Sequence, residues 1–252
     1  DIERPAEPSS ARLVGTLAAA GLLSGLTIVG VFEATLPIIE ANNARALERA
    51  VFEVVPGSSR MQGLVVEKGG GRVAGGDEAA DVYAAYDGAG GFVGYAIPGE
   101  GAGFQDVIRL IYGYDPAREL IVGMEVLESR ETPGLGDKIY KDEAFVGSFS
   151  ALAVEPGVVC VKKGEADEAH EVDAITGATI SAEAVVRIIA GANERWLGVL
   201  PGREGVPGIV RETSEDEDNG GSAGHGAPLP GPLPEGGASE VEIDGVDGGG
   251  HS

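Results

Sequence analysis

Asp173-Ala174-Ile175-Thr176-Gly177-Ala178-Thr179 runs directly into an apolar pattern of helical period, with Val185, Ile188, Ile189, Ala192 and Trp196 marking one face of a helix expected over about Ser181 to Leu197. The heptapeptide ends in a hydroxyl among small or slim neighbours, and Gly177 and Ala178 leave room for a bulky reactant. A hydroxyl at a helix start lies where unpaired backbone N–H groups and the positive end of the macrodipole favour a phosphate group. Thr179 is therefore a candidate covalent attachment point. A plainer reading of the same residues is a turn in which Thr179 or Ser181 caps the helix.

Working back from this segment, strand signals occur at Gly63 to Glu67, Gly91 to Ile97, Val107 to Tyr112, Leu120 to Leu127 and Gly157 to Lys162. Glycine-rich loops such as Gly69-Gly70-Gly71 and Gly75-Gly76 separate the first of them. Strands followed by a helix make the domain α+β. Lys68-Gly69-Gly70-Gly71-Arg72 lacks the spacing and the Gly-Lys-Ser/Thr ending of a phosphate-binding P-loop and reads as a turn.

Leu13 to Phe32 carries no charge, and at 1.5 Å per residue its length matches a hydrocarbon core of about 30 Å. It reads as a single transmembrane helix rather than a signal peptide, because it exceeds an ordinary h-region and ends in Phe32-Glu33 without a small-x-small site. Arg4 and Arg12 precede it while Glu33 and Glu40 follow, which places residues 1–12 in the cytoplasm and the remainder outside. Beyond Pro37 the positions Leu47, Ala50, Val51 and Val54 define a stalk or first domain helix that stops at Pro56-Gly57. Gly21 and Gly25 form a small-xxx-small pair, as common in such spans as in helix contacts.

A net charge of -23 argues against nucleic acid, whose phosphates repel such a chain. The 43% apolar content suffices for one sizeable core. From Pro201 the composition turns to Gly, Pro, Ser, Glu and Asp, including Glu215-Asp216-Glu217-Asp218, and reads as a disordered acidic tail over 201–252. One cysteine, Cys160, permits neither an intrachain disulfide nor a cysteine metal site, and it reads as a small buried residue in Val158-Val159-Cys160-Val161. The histidines His170, His225 and His251 are scattered, so no metal site and no histidine-based triad is expected.

Asp173 to Thr179 resembles the flavinylation motif Asp-x-x-(Ser/Thr)-Gly-Ala-(Thr/Ser) of the FMN-binding domain family. Glu131-Thr132-Pro133-Gly134-Leu135-Gly136-Asp137-Lys138 looks like that family's Glu-Thr-Pro-Gly-Leu-Gly signature. The segment Leu36 to Gly57 is similar to the helix that follows the membrane span in the G subunits of Rnf-type ion-translocating electron transport complexes. The resemblance spans roughly Leu13 to Leu200. It implies a single transmembrane helix (13–32), an extracytoplasmic FMN-binding α+β domain (33–200) and single-pass residence in the cell's inner, cytoplasmic membrane with the domain on the periplasmic side.

On the same resemblance a flavin transferase joins the phosphate of FMN to Thr179. Asp173, Thr176, Gly177 and Ala178 complete the motif, with Asp173 and Thr176 serving the transferase or the turn. Glu131, Thr132, Leu135, Gly136 and Lys138 are expected near the flavin: Thr132 and backbone N–H groups at the ring edge, Leu135 on the ring, Lys138 offsetting the charge of the reduced form. Trp196, at core spacing, is expected to pack rather than stack on the flavin. The implied role is electron transfer within an ion-translocating ferredoxin:NAD oxidoreductase, with ferredoxin, NAD and ion chemistry left to other membrane subunits. Two alternatives within that chemistry are a C-type subunit of a sodium-pumping quinone reductase and a free-standing exported flavoprotein. From another class, a non-redox anchored binding or scaffold domain would use Thr179 only as a cap.

Overall fold

In the computed structural model, residues 9–67, 70–75 and 78–208 are described. A single long helix, α1 (Ser10–Val54), leads into an antiparallel sheet. Its strands are β1 (Arg60–Glu67), β2 (Gly70–Val73), β3 (Val82–Tyr86), β4 (Phe92–Ala102), β5 (Val107–Asp115), β6 (Leu120–Glu128) and, after the short helices α2 (Lys138–Lys141) and α3 (Glu143–Gly147), β7 (Leu152–Ala153). The sheet order is β2-β1-β3-β4-β5-β6-β7. A small parallel pair, β8 (Val159–Val161) and β9 (Glu171–Asp173), precedes the helix α4 (Thr179–Trp196).

Both faces of the sheet are covered. Val82, Ala84 and Tyr86 of β3 point into a core shared with Val185, Ile188 and Ile189 of α4, while Tyr83 and Ala85 point into a second core with Leu47, Ala50, Val51 and Val54 of α1. Such a strand shows no polar alternation, which is why Val82–Tyr86 carries no strand signal in the sequence. Close approach is made possible by glycines. A Cβ on Gly99 or Gly101 of β4 would lie 2.8 or 2.7 Å from Ile188, and one on Gly113 of β5 would run into the Val54 carbonyl. Pro98, which lacks an N–H, lies in β4 beyond Ala96, where pairing with β3 has ended, so no ladder bond is lost on that side.

The two N-terminal helices expected from the sequence are one. Pro37 lies inside α1 and deprives the Glu33 carbonyl of its donor without ending the helix. Along α1 the buried positions are those of the periodic stripe, Leu47, Ala50, Val51 and Val54. Residues 13–32 are uncovered on every side, with Leu17 77% exposed, and the helix is long and apolar enough to cross a membrane. The hydroxyls of Thr16, Thr27 and Thr35 donate to carbonyls one turn earlier, so they need no outside partner.

The structure differs from the sequence reading at three further places. Gly70–Val73, read as loop, pairs antiparallel with β1 from Leu64↔Val73 to Glu67↔Gly70. Cys160 is only partly buried, at the margin of the core, although burial still pushes its thiol up to about 11. Pro201 to Gly208 continues the domain instead of beginning a tail: Tyr95 donates to the Pro201 carbonyl at 2.6 Å, Tyr86 donates to that of Pro207, and Leu200 and Val206 pack on the core. The remainder of the expected tail, 209–252, lies outside the described residues, as do residues 1–8.

Candidate functional site

α4 starts at Thr179, and no side chain caps it. Ala178 occupies the cap position, so among the described residues the first-turn N–H groups have no side-chain acceptor, and no acidic residue lies in that turn to oppose an anion. Thr179 is exposed, and its hydroxyl makes one long, half-buried bond, 3.4 Å, to the Ile175 carbonyl of its own turn. Ser181 is buried and donates at 2.6 Å to Glu131. Neither hydroxyl therefore serves as the cap that the plainer sequence reading requires.

The loop preceding α2 is brought against this helix start. Gly134, at φ +80°, turns the chain so that its N–H donates to Asp137 Oδ1 at 2.8 Å, and Leu135 N–H donates to the Thr132 carbonyl. Lys141 bonds the other oxygen of Asp137 at 2.6 Å and, with the Gly134 N–H, holds that carboxyl below its ordinary range. The loop is thus tied by its own hydrogen bonds. Gly136 touches α4: a Cβ there would lie 2.6 Å from Glu131 Oε2 and 3.0 Å from Ser181 Oγ.

Between the loop and the helix lies a cavity of about 310 Å³ lined by Phe104, Thr132, Leu135, Gly136 and the run Gly177 to Ser181. Its volume is at the lower end of small-molecule sites. Phe104, Leu135 and Ile180 give it an apolar wall that is more than half exposed at its mouth. Lys138 stands at the rim, donating to the Thr176 carbonyl at 3.2 Å, and a Cβ on Gly177 would lie 3.6 Å from its ammonium. Among the described residues that ammonium pairs with no carboxylate.

The ten residues singled out from the sequence do not all meet. Thr132, Leu135, Gly136, Gly177, Ala178 and Thr179 line the cavity, and Lys138 with the Thr176 carbonyl stands at its edge. Glu131 turns away from it, and Thr132 directs its hydroxyl to Gln105 at 2.8 Å. Asp173 is further off: its Oδ1 accepts the N–H groups of Gly164, Glu165 and Ala166, so it holds a neighbouring loop.

Phe104 and Ile180 are lining residues without a sequence signal of their own, and Ser181, which the sequence marks only as a candidate cap, is a third. Phe104 comes from the turn between β4 and β5, which closes at Ala102↔Val107 and is clamped by Arg187 of α4 donating to the Ala102 carbonyl at 2.8 Å. A largely apolar slot beside the exposed Thr179, an open helix N-terminus and an ammonium unpaired among the described residues suits a molecule with a flat aromatic ring and a phosphate. FMN has both parts, so the residues present fit it.

Comparison with known proteins points to the same group. Residues 103–194 match the FMN-binding domain family, a span that holds both motifs and the turn bearing Phe104. The chain is 37% identical over 110 residues to the G subunit of an ion-translocating oxidoreductase complex from Methanosarcina acetivorans, covering 44% of this chain and 55% of that relative. It is 32% identical over 97 residues to the G subunit of the Na(+)-translocating ferredoxin:NAD(+) oxidoreductase complex of Acetobacterium woodii, covering 37% and 44%. The chain thus spans about half the length of the curated relatives it matches. The C subunit of the Na(+)-translocating NADH-quinone reductase of Parabacteroides distasonis shares the fold, with a TM-score of 0.52 at 19% identity over 65% of this chain and 94% of that one.

Proposed function

We propose that this chain is a membrane-anchored electron-transfer subunit of an Rnf-type ion-translocating oxidoreductase complex, carrying FMN esterified through its phosphate to Thr179. The observation that carries the reading is the meeting of the two motifs around one cavity, which Thr179 lines at the uncapped start of an 18-residue helix. The similarity to G subunits supports the assignment to such a complex.

The residues divide the work by their chemistry. The first-turn N–H groups and the helix macrodipole stabilise a phosphate on Thr179, and the Lys138 ammonium adds a positive charge at the rim. Phe104, Leu135 and Ile180 offer apolar surface to the ring. The flavin supplies reversible electron storage, while the protein supplies attachment, orientation and electrostatics. Covalent attachment keeps the cofactor on a domain outside the cytoplasm. The helix that precedes the domain anchors it, with residues beyond Phe32 exported and ferredoxin, NAD and ion chemistry assigned to the partner subunits.

Coexpression with a flavin transferase tests the reading. The denatured full chain should fluoresce as a flavoprotein in gels, and peptide mass mapping should place FMN on Thr179. Thr179→Ala should abolish the label without unfolding the chain, since the hydroxyl makes only its one weak bond. Flavin on Ser181 or Thr176 refutes the attachment site, and an unlabelled wild-type chain refutes the function. Reporter fusions near Leu200 should behave as extracytoplasmic; a cytoplasmic signal there overturns the topology.

A further inference from the structure

A buried carboxylate that pairs with no cation among the described residues stands directly behind the cavity wall. Glu131 is 5% exposed. Its Oε1 accepts the N–H groups of Phe104 and Gln105 at 2.9 Å each, and its Oε2 accepts the Ser181 hydroxyl at 2.6 Å. No Lys or Arg among the described residues forms an ion pair with it. Burial opposes its charge, but the Ser181 and backbone donors outweigh burial and hold the carboxyl below its ordinary range, so it is ionised at neutral pH. Phe104, Gly136 and Ser181, the residues that enclose the carboxylate, also line the cavity.

We infer that Glu131 is a positioning residue that keeps a fixed negative charge one layer behind the cavity wall and thereby lowers the reduction potential of the flavin held there. The inference rests on FMN occupying the cavity. Reducing a flavin adds electron density to its ring, and a fixed anion at short range in a poorly screened interior raises the energy of the more electron-rich form. The opposing charge is weaker: Lys138 is partly exposed at the rim, where water and salt screen it. The same three hydrogen bonds hold the Phe104 turn and the start of α4 together, so cavity shape and charge depend on one side chain.

The test uses the full chain coexpressed with a flavin transferase and titrated spectroelectrochemically. Flavin per chain, from absorbance and in-gel fluorescence, reports occupancy; the midpoint potential reports the charge. Glu131→Gln should raise the midpoint potential with flavin retained, whereas Glu131→Asp, which keeps the anion, should stay close to wild type. An unchanged or lowered potential in Glu131→Gln overturns the inference, as does an equal rise in both variants, which would assign the effect to packing. A wild-type chain without flavin refutes the occupancy on which it rests. If thermal melting shows Glu131→Gln to be unfolded, reduced-minus-oxidised infrared spectra of the wild-type chain with isotope-labelled glutamate decide. A glutamate carboxylate band displaced on reduction supports the inference; a protonated-acid band, or no glutamate band, overturns it.

Discussion

α1 and α4 cover opposite faces of one sheet, yet they are tied to it in different ways. α4 is buried along its whole length, from Ser181 to Trp196, whereas α1 is buried only in its final turns, from Leu47 to Val54. Both helices are rich in apolar residues, so composition does not tell them apart. Arrangement does: in α4 the large apolar side chains form a stripe, while from Leu13 to Phe32 they face every direction. One helix spends its apolar surface on the core and offers its N-terminus to the site. The other leaves that surface free for an apolar medium and carries the domain at its end.

The largest expected effect sharpens this contrast. Ile189→Ala in α4 removes a fully buried side chain and should cost about 2–5 kcal/mol of domain stability. Val51→Ala in α1, with fewer atoms lost, should cost roughly 1–3 kcal/mol. Denaturant unfolding of the full chain, followed by tyrosine and tryptophan fluorescence, compares them. A larger loss at Val51 would mean that α1 is as much a part of the domain as α4.

Acid should affect the two faces unequally: of the lowered carboxyls, Glu131, Asp137 and Glu171 lie on the α4 side, while Glu78 pairs with the exposed Arg72. Glu131 is held below the ordinary range by the Ser181 and backbone donors against burial, and Asp137 by Lys141 and the Gly134 N–H. A depressed native pKa contributes stability that is fully present above the unfolded value, about 4, and is lost as pH falls through the native value. Amides of the 131–137 loop and the first turn of α4 should therefore lose exchange protection below about pH 4, before those of Leu47 to Val54 do. Simultaneous loss would show one cooperative unit. Asp137→Asn should flatten the acid limb of a stability–pH curve, and an unaltered limb would remove Asp137 from this account.

The smallest effects concern the C-terminal end. Ending the chain after Gly208 should change stability by less than about 1 kcal/mol, the range of surface changes, with flavin retained. Ending it after Leu200 should cost more, because the buried tyrosines Tyr86 and Tyr95 then lose the carbonyl partners of their hydroxyls, at roughly 0.5–1.5 kcal/mol for each bond. Thermal melting of the two truncated chains distinguishes them, and equal melting temperatures would mean that 201–208 contributes nothing.

Much of the fold and six of the nine residues lining the cavity can be read along the chain, and what cannot be read has a common cause. The stripe Leu47, Ala50, Val51 and Val54, the uncharged run from Leu13, the α4 face and four of the main strands are local patterns, in which side-chain period reports the face that is buried. β3 escaped because both of its faces are covered. Pro201 to Gly208 escaped because two tyrosines more than a hundred residues away hold its carbonyls, and composition carries no trace of a partner that distant.

The sequence by itself determined the α+β class, the apolar N-terminal helix, the two motifs and the hydroxyl at Thr179, since each depends on residues close together in the chain. The tertiary structure alone decided that the Phe104 turn, the Thr132–Gly136 loop and the start of α4 share one cavity. It also decided that Ser181 is bound to Glu131 while Thr179 stays exposed, and that Glu131 lies behind the wall and Asp173 holds another loop. The carboxylate relations are set by which backbone and hydroxyl donors the folded sheet and helix bring within reach. The donors lie 26 to 50 residues from Glu131 along the chain, beyond the range of any local pattern.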